Sequence, residues 1–178
     1  MDDREAILAD LPAAGRKARI PVQAPPLPTL TSDALWSIFA GHFQELGGRM
    51  ATLDELDVIL QRPYVLDHDA AARLGRAPGG FSVWEAEVGV TTAELAVAET
   101  GSLILTTGPG KPRMVSLSPV MHVALVPRER IVATLAEAFG RLGDRTTVMI
   151  TGPSRTADIE GVLVRGVHGP GEVVVVLV

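Results

Sequence analysis

The residues with the clearest chemical potential lie in a turn-rich segment near the carboxyl end of the sequence. There the apolar run T-V-M-I is followed by T-G-P-S-R-T-A-D-I-E. A glycine turn after a strand exposes backbone N–H groups, and hydroxyl and guanidinium side chains add donors for an anion. We therefore predict an anion-binding turn that uses Gly152, Ser154, Arg155, Thr156 and Asp158. The same residues also suit a purely structural role, in which Ser154 or Thr156 caps a helix over 157–164 and Asp158 complements its dipole.

A second polar segment, Glu99-Thr100-Gly101-Ser102, precedes the strand predicted for S-L-I-L-T-T. A carboxylate beside a glycine at a strand entrance can act as nucleophile, general base or orienting acceptor. We therefore predict Glu99 as the catalytic candidate, with Thr100, Gly101 and Ser102 as binding residues. In the alternative interpretation, Gly101 ends a helix and Glu99 is solvated.

A third segment, G-P-G-K-P-R, follows the same strand. Lys111 offers a point charge and Arg113 a bidentate donor, so this loop is predicted to fold over a carboxylate or phosphate. A solvated connector explains the loop equally well.

The histidines give a weaker signal. His168, in V-H-G-P-G, joins the predicted anion-binding residues. Taken alone, both His168 and His122, at the start of the apolar run M-H-V-A-L-V, are typical of structural hydrogen-bonding residues. We predict no metal site, because surface positions explain the His42, Glu45 pair and the Asp67-His68-Asp69 cluster. Since the sequence has no Cys, its own residues cannot hold an iron–sulfur cluster by thiolates or form a disulfide.

Alternating apolar strands and amphipathic helices must position these turns. We predict a helix over 33–46 that is capped by Ser32. Two capping boxes predict further helices, one from Thr52 to about Gln61 and one from Thr91 to near Ala98. A fourth helix is predicted to begin at Pro127, with an apolar stripe formed by Ile131, Val132, Leu135, Phe139 and Leu142. We predict strands at Y-V-L-D, S-L-I-L-T-T, M-V-S-L, M-H-V-A-L-V, T-V-M-I and E-V-V-V-V-L-V. This order favours a mainly parallel sheet with helices on both faces, a three-layer α/β/α domain that binds ligands at the carboxyl ends of its strands.

Composition narrows the class of protein. The 178 residues are 47% hydrophobic, which suits one α/β domain over 31–178, preceded by an N-terminal helix and Pro-rich linker over 1–30. A net charge of −5 without basic, aromatic-interleaved runs argues against nucleic-acid binding. No apolar run approaches the roughly 18 residues of a membrane span, and the N-terminus lacks a basic leader, so we expect a cytoplasmic protein.

The stretches A-E-T-G-S-L-I-L-T-T-G-P-G-K-P-R and I-T-G-P-S-R-T-A-D-I-E, with G-V-H-G-P-G after them, resemble the LUD domain of the lactate utilization protein C family. The resemblance covers about residues 85–178. It implies a Rossmann-like three-layer α/β/α fold, similar to that of the ribose-5-phosphate isomerase, glucosamine-phosphate deaminase and CoA transferase group. It also implies participation in the oxidation of L-lactate to pyruvate, as a component of an L-lactate dehydrogenase complex. Its iron–sulfur clusters would lie on partner subunits.

Three hypotheses follow. In the first, the chain is the cluster-free subunit of that lactate-oxidising system and binds a small anion such as lactate, with no cofactor of its own. In the second, it is a non-catalytic assembly or regulatory module that binds a small anion. In the third, by fold analogy alone, it is an independent enzyme acting on a sugar phosphate or CoA ester. All three are compatible with an oligomer, and the sequence does not decide whether the isolated chain is an enzyme.

Overall fold

A computed structural model describes residues 30–157 and 163–178 of the chain. The helices are α1 (Ser32–Glu45), α2 (Leu53–Ile59), α3 (His68–Leu74), α4 (Met114–Leu117) and α5 (Leu135–Leu142), with a 3₁₀ turn at Arg128–Arg130. The strands are β1 (Arg49–Ala51), β2 (Tyr64–Leu66), β3 (Val88–Thr92), β4 (Leu95–Val97), β5 (Ser102–Thr106), β6 (Met121–Val126), β7 (Ile131–Val132), β8 (Thr147–Ile150), β9 (Arg155–Ala157), β10 (Leu163–Arg165) and β11 (Glu172–Leu177). The helix and linker predicted before residue 30 lie outside the described residues.

A five-stranded parallel sheet forms the centre of the fold, in the order β1-β11-β6-β3-β2. The strands β6 and β11 are almost entirely buried because both of their faces are covered, which explains their predominantly apolar sequences. In the register of the sheet, His122 of β6 lies between Gly89 of β3 and Val173 of β11.

Helices cover both faces of this sheet. Residues of α2 and α3, including Leu56 and Ala70, pack on one face. Phe39 and Phe43 of α1 pack on the other. The predicted mainly parallel sheet between helical layers is therefore confirmed.

A second sheet, which the sequence analysis did not anticipate, shares a face of the parallel sheet with α1. Its strand order is β7-β4-β5-β8, with antiparallel pairing of β4 with β5 and of β5 with β8. The cluster that contains Leu95, Val97 and Ala138 joins its outer face to α5. Strands β9 and β10 pair separately as an antiparallel hairpin.

The helix predicted from the Thr91 capping box is wrong. The segment forms the end of β3 and the whole of β4, and Ala93, Leu95 and Val97 are buried between other elements. The capping pattern is a local signal, and the burial of a continuous apolar segment in two sheets overrides it. The Thr52 capping box does form, with Glu55, and opens α2.

Two other predicted elements also differ. The helix predicted from Pro127 begins only at Leu135, because the β-branched Ile131 and Val132 pair with β4 as β7. The predicted strand M-V-S-L is the short helix α4, which sits between Pro112 and Pro119 and packs against β3. At the start of α1, Thr31 is the N-cap in place of the predicted Ser32.

The helix predicted over 157–164 is replaced by strands at both of its described ends. Ala157 belongs to β9 and pairs with Leu163 of β10. A helix N-terminus is therefore not part of the turn at 151–154.

The helix α4 lies directly on the parallel sheet because residue 89 is glycine. A Cβ at Gly89 would lie 1.8 Å from the carbonyl oxygen of Val115. This close approach holds α4 near the beginning of β3, and with it Arg113 and Ser116. Across the described ranges, no helix is both long and apolar enough to cross a membrane.

Candidate binding pocket

A pocket of about 240 Å³ lies between the parallel sheet, the α4 segment and strand β8. Its lining includes Arg113 and Ser116, His122 of β6, the segment 148–152 with Ser154, and the loop 168–170. The volume is below the ~300–1,000 Å³ of pockets for drug-sized ligands, so a small molecule suits it.

Four predicted site residues line this pocket together: Arg113, Gly152, Ser154 and His168. The backbone N–H of Ser154 donates to the carbonyl of Pro170 (2.9 Å), and Ser154 accepts from the N–H of Gly166 (3.0 Å). These bonds hold the turn at 151–154 against the loop that carries His168. The convergence of the two loops could not be predicted from spacing along the chain.

Arg113 is the cationic group of the pocket. Its side chain is exposed, and no carboxylate of the described residues forms an ion pair with it. A guanidinium in a pocket that also includes Ser116, Thr151 and Ser154 is suited to bind a carboxylate or phosphate through two parallel hydrogen bonds.

Thr100 and Ser102 lie behind the pocket wall. The Thr100 hydroxyl donates to Ser102 Oγ (2.8 Å), and Ser102 Oγ lies 2.8 Å from the hydroxyl oxygen of Thr151, which lines the pocket. Gly101 has a φ of +61°, and a Cβ there would lie 2.6 Å from the backbone nitrogen of Phe43. The A-E-T-G-S segment therefore supports the pocket and packs against α1.

Glu99 and Lys111 lie outside this pocket. The exposed Glu99 carboxylate accepts a hydrogen bond from the N–H of Leu135 (3.1 Å), at the start of α5. Lys111 Nζ lies 2.6 Å from Asp69 Oδ2, and this hydrogen bond lowers the pKa of the Asp69 carboxyl. Each side chain has a structural partner that the local sequence did not reveal.

The other described residues of the predicted anion-binding turn, Arg155 and Thr156, do not line the pocket with Gly152 and Ser154. The Arg155 guanidinium donates to the carbonyl of Leu46 at the end of α1, and Thr156 pairs with Val164 in the hairpin. Asp158 lies outside the described residues.

The pocket also differs from the expected position. It lies at the amino-terminal ends of β6 and β11, where His122 and Val173 are second in their strands. The expected position was the carboxyl ends of the parallel strands. Only β8, which belongs to the second sheet, points its carboxyl end toward the pocket.

His122 is a pocket residue that sequence reasoning missed. It is fully buried, and its Nε2 lies 2.9 Å from the Thr91 hydroxyl. Its Nδ1 has no hydrogen-bond partner among the described residues. Burial lowers the pKa of His122 to about 4. The only signal in the sequence was one polar residue in an apolar strand.

Replacing Glu99 with alanine is expected to leave ligand binding unchanged and to lower the free energy of unfolding by about 1 kcal/mol, because the start of α5 loses an acceptor and a favourable charge. Urea unfolding and ligand titration of the same variant check this result. If the variant bound ligand more weakly but kept its stability, Glu99 would have a role in ligand binding instead.

Residues 82–178, more than half of the sequence, match the family model of the LUD domain. The chain belongs to the LUD domain family. It is 39% identical over 95 residues to lactate utilization protein C of Halalkalibacterium halodurans, covering 48% of this chain and 41% of that protein. It is 39% identical over 103 residues to lactate utilization protein C of Bacillus subtilis, covering 53% and 43%.

The chain thus spans about two fifths of the length of these curated relatives. Among solved structures, a DUF162 family protein from Deinococcus radiodurans superposes with a TM-score of 0.61 at 19% identity, covering 84% of this chain and 99% of that one. This likeness supports the fold.

Proposed function

We propose that this chain acts in lactate utilization, as the cluster-free subunit of a system that oxidises L-lactate to pyruvate. The observation that carries the proposal is the small pocket in which Arg113, Ser154 and His168 converge. All of its lining residues fall between Arg113 and Val173, inside the segment that matches the LUD domain. The names of the relatives motivate the choice of lactate.

The chemistry of the pocket suits a small hydroxy acid. Arg113 would bind the carboxylate, and hydroxyl groups such as those of Ser154 and Thr151 would add hydrogen bonds to the same carboxylate. The task of these residues is to bind and orient the substrate in a small space.

In this proposal the electrons leave through another subunit. Oxidation of lactate removes two electrons, and a sequence without Cys cannot ligate an iron–sulfur cluster by thiolates. The residues present therefore do not fit such a cluster, and we assign the clusters to partner subunits.

A second candidate function is a non-catalytic assembly module. It is favoured by a groove beside the pocket in which the exposed side chains of Trp84, Val120 and Val167 lie together. Exposed apolar surface of this kind is typical of protein contact sites.

Arg113→Gln tests the first candidate. In the system reconstituted with its cysteine-bearing subunits, kcat/KM for L-lactate is expected to fall about ten- to a hundredfold, because a charged hydrogen-bond pair with the carboxylate is lost. Lactate-dependent reduction of a dye acceptor measures this. The matched control is Arg73→Gln, which removes an exposed arginine of α3 outside the pocket and should leave kcat/KM unchanged.

Full turnover by Arg113→Gln would contradict a substrate site in this pocket. If that variant also co-purified normally with the partner subunits, the assembly module would be the better assignment.

A further inference from the structure

We propose that His122 binds the ligand directly, through a hydrogen bond between its Nδ1 and the oxygen on the carbon next to the ligand carboxylate. The pocket would then select 2-hydroxy or 2-oxo acids over acids without that oxygen. The choice of ligand rests on the proposed function, and the role of His122 rests on the geometry below.

The first argument is the unequal bonding of the ring. Nε2 of His122 is anchored 2.9 Å from the Thr91 hydroxyl, whereas Nδ1 has no partner among the described residues. Its neighbours in register, Gly89 and Val173, carry no polar side chain. A buried polar atom without a partner costs about 1–3 kcal/mol, and buried polar atoms are rarely left in that state without a reason.

The second argument is the position of the ring. His122 is buried within the fold and also lines the pocket that holds Arg113, Ser116 and Ser154. In this proposal, one small molecule in the pocket contacts both the cation and the imidazole. Arg113 would hold the carboxylate, and His122 the neighbouring oxygen.

The third argument is the chemistry of a neutral imidazole, which has one donor and one acceptor nitrogen. With Nε2 bonded to Thr91, Nδ1 either accepts from a hydroxyl or donates to a carbonyl. Both lactate and pyruvate offer such a partner, whereas propionate offers none. Burial lowers the pKa of His122 to about 4, so the ring stays neutral near pH 7 and does not repel Arg113.

The test compares two amide variants. The amide of Asn places a polar group near the position of Nδ1, and the longer Gln places one near Nε2. Binding of L-lactate, pyruvate and propionate to the full chain is measured by isothermal titration calorimetry. The wild type is expected to prefer one of the oxygenated acids over propionate by about tenfold, the free-energy equivalent of one hydrogen bond.

His122→Asn should keep part of this preference, whereas His122→Gln should bind all three acids with the affinity that the wild type has for propionate. Equal affinities in the wild type, an unchanged preference in His122→Gln, or no binding of any of the acids would overturn the inference. Because His122 is buried, ring-nitrogen NMR of the wild type provides a second measurement that needs no variant. The Nδ1 resonance should move with lactate and not with propionate.

The two proposals fail separately. If the reconstituted system oxidises lactate and requires Arg113 while His122→Gln keeps the preference, only the role of His122 is lost. If the full chain discriminates through His122 while lactate oxidation proceeds normally without the Arg113 charge, only the proposed use of this pocket as the substrate site of the oxidising system is lost.

Discussion

Gly89→Ala is expected to lower the free energy of unfolding by at least about 3 kcal/mol, at the upper end of the range for overpacked sites. The new Cβ would lie 1.8 Å from the carbonyl oxygen of Val115 and 2.9 Å from Cγ of Pro119. Neither atom belongs to a long side chain that can rotate away. The sheet or α4 must therefore shift.

The same substitution should weaken ligand binding, because α4 carries Ser116 and follows Arg113 directly. Urea unfolding measures the stability, and calorimetric titration with lactate measures the binding. A matched control is Gly140→Ala in α5, where a Cβ meets nothing within 4 Å. Alanine there should stabilise the chain by up to about 1 kcal/mol. Equal stabilities of the two variants would contradict the close packing of α4 on β3.

Acidification is expected to destabilise the chain between about pH 6.5 and pH 4 through His122. Burial lowers the pKa of this residue from its ordinary 6.5 to about 4 in the folded state. In this interval the unfolded chain binds a proton that the folded chain excludes, so the free energy of unfolding falls as the pH falls. Above pH 6.5 the ring is neutral in both states and contributes no pH dependence.

The full effect is about 3 kcal/mol, because each unit of pKa difference corresponds to about 1.4 kcal/mol. Other groups act differently. Because the pKa of Asp69 is lowered in the folded state, protonation of this carboxylate at more acidic pH also decreases the free energy of unfolding. The pKa of the buried Asp67 is raised, so its protonation has the opposite effect on the free energy of unfolding. Urea unfolding at a series of pH values should therefore show a slope that is reduced in His122→Asn. Parallel curves for the variant and the wild type would rule out His122 as the source.

The sequence predicted the parts of the fold whose signal is local and strong. The strands β6, β8 and β11 are predominantly apolar runs, and the Thr52 capping box opens a helix as expected. The same capping pattern at Thr91 failed because the segment is buried in two sheets. Spacing along the chain carries no information about such tertiary burial.

The structure brings together only part of the predicted set of site residues. Arg113, Gly152, Ser154 and His168 line one pocket. Glu99 and Arg155 were also predicted site residues because their side chains are charged, but each forms a hydrogen bond with a backbone group at the end of a distant helix. His122 needed the structure, because an unbonded ring nitrogen can be recognised only when all of its neighbours are placed.

The two outermost strands of the parallel sheet, β1 and β2, come from residues before the segment that matches the LUD domain. A fragment cut at residue 82 would keep β11, β6 and β3 alone, with unpaired N–H and C=O groups along both flanks. Such flanks invite pairing with other chains and aggregation. The boundary of sequence similarity is therefore a poor guide for truncation, and an autonomous folding unit must include the earlier strands.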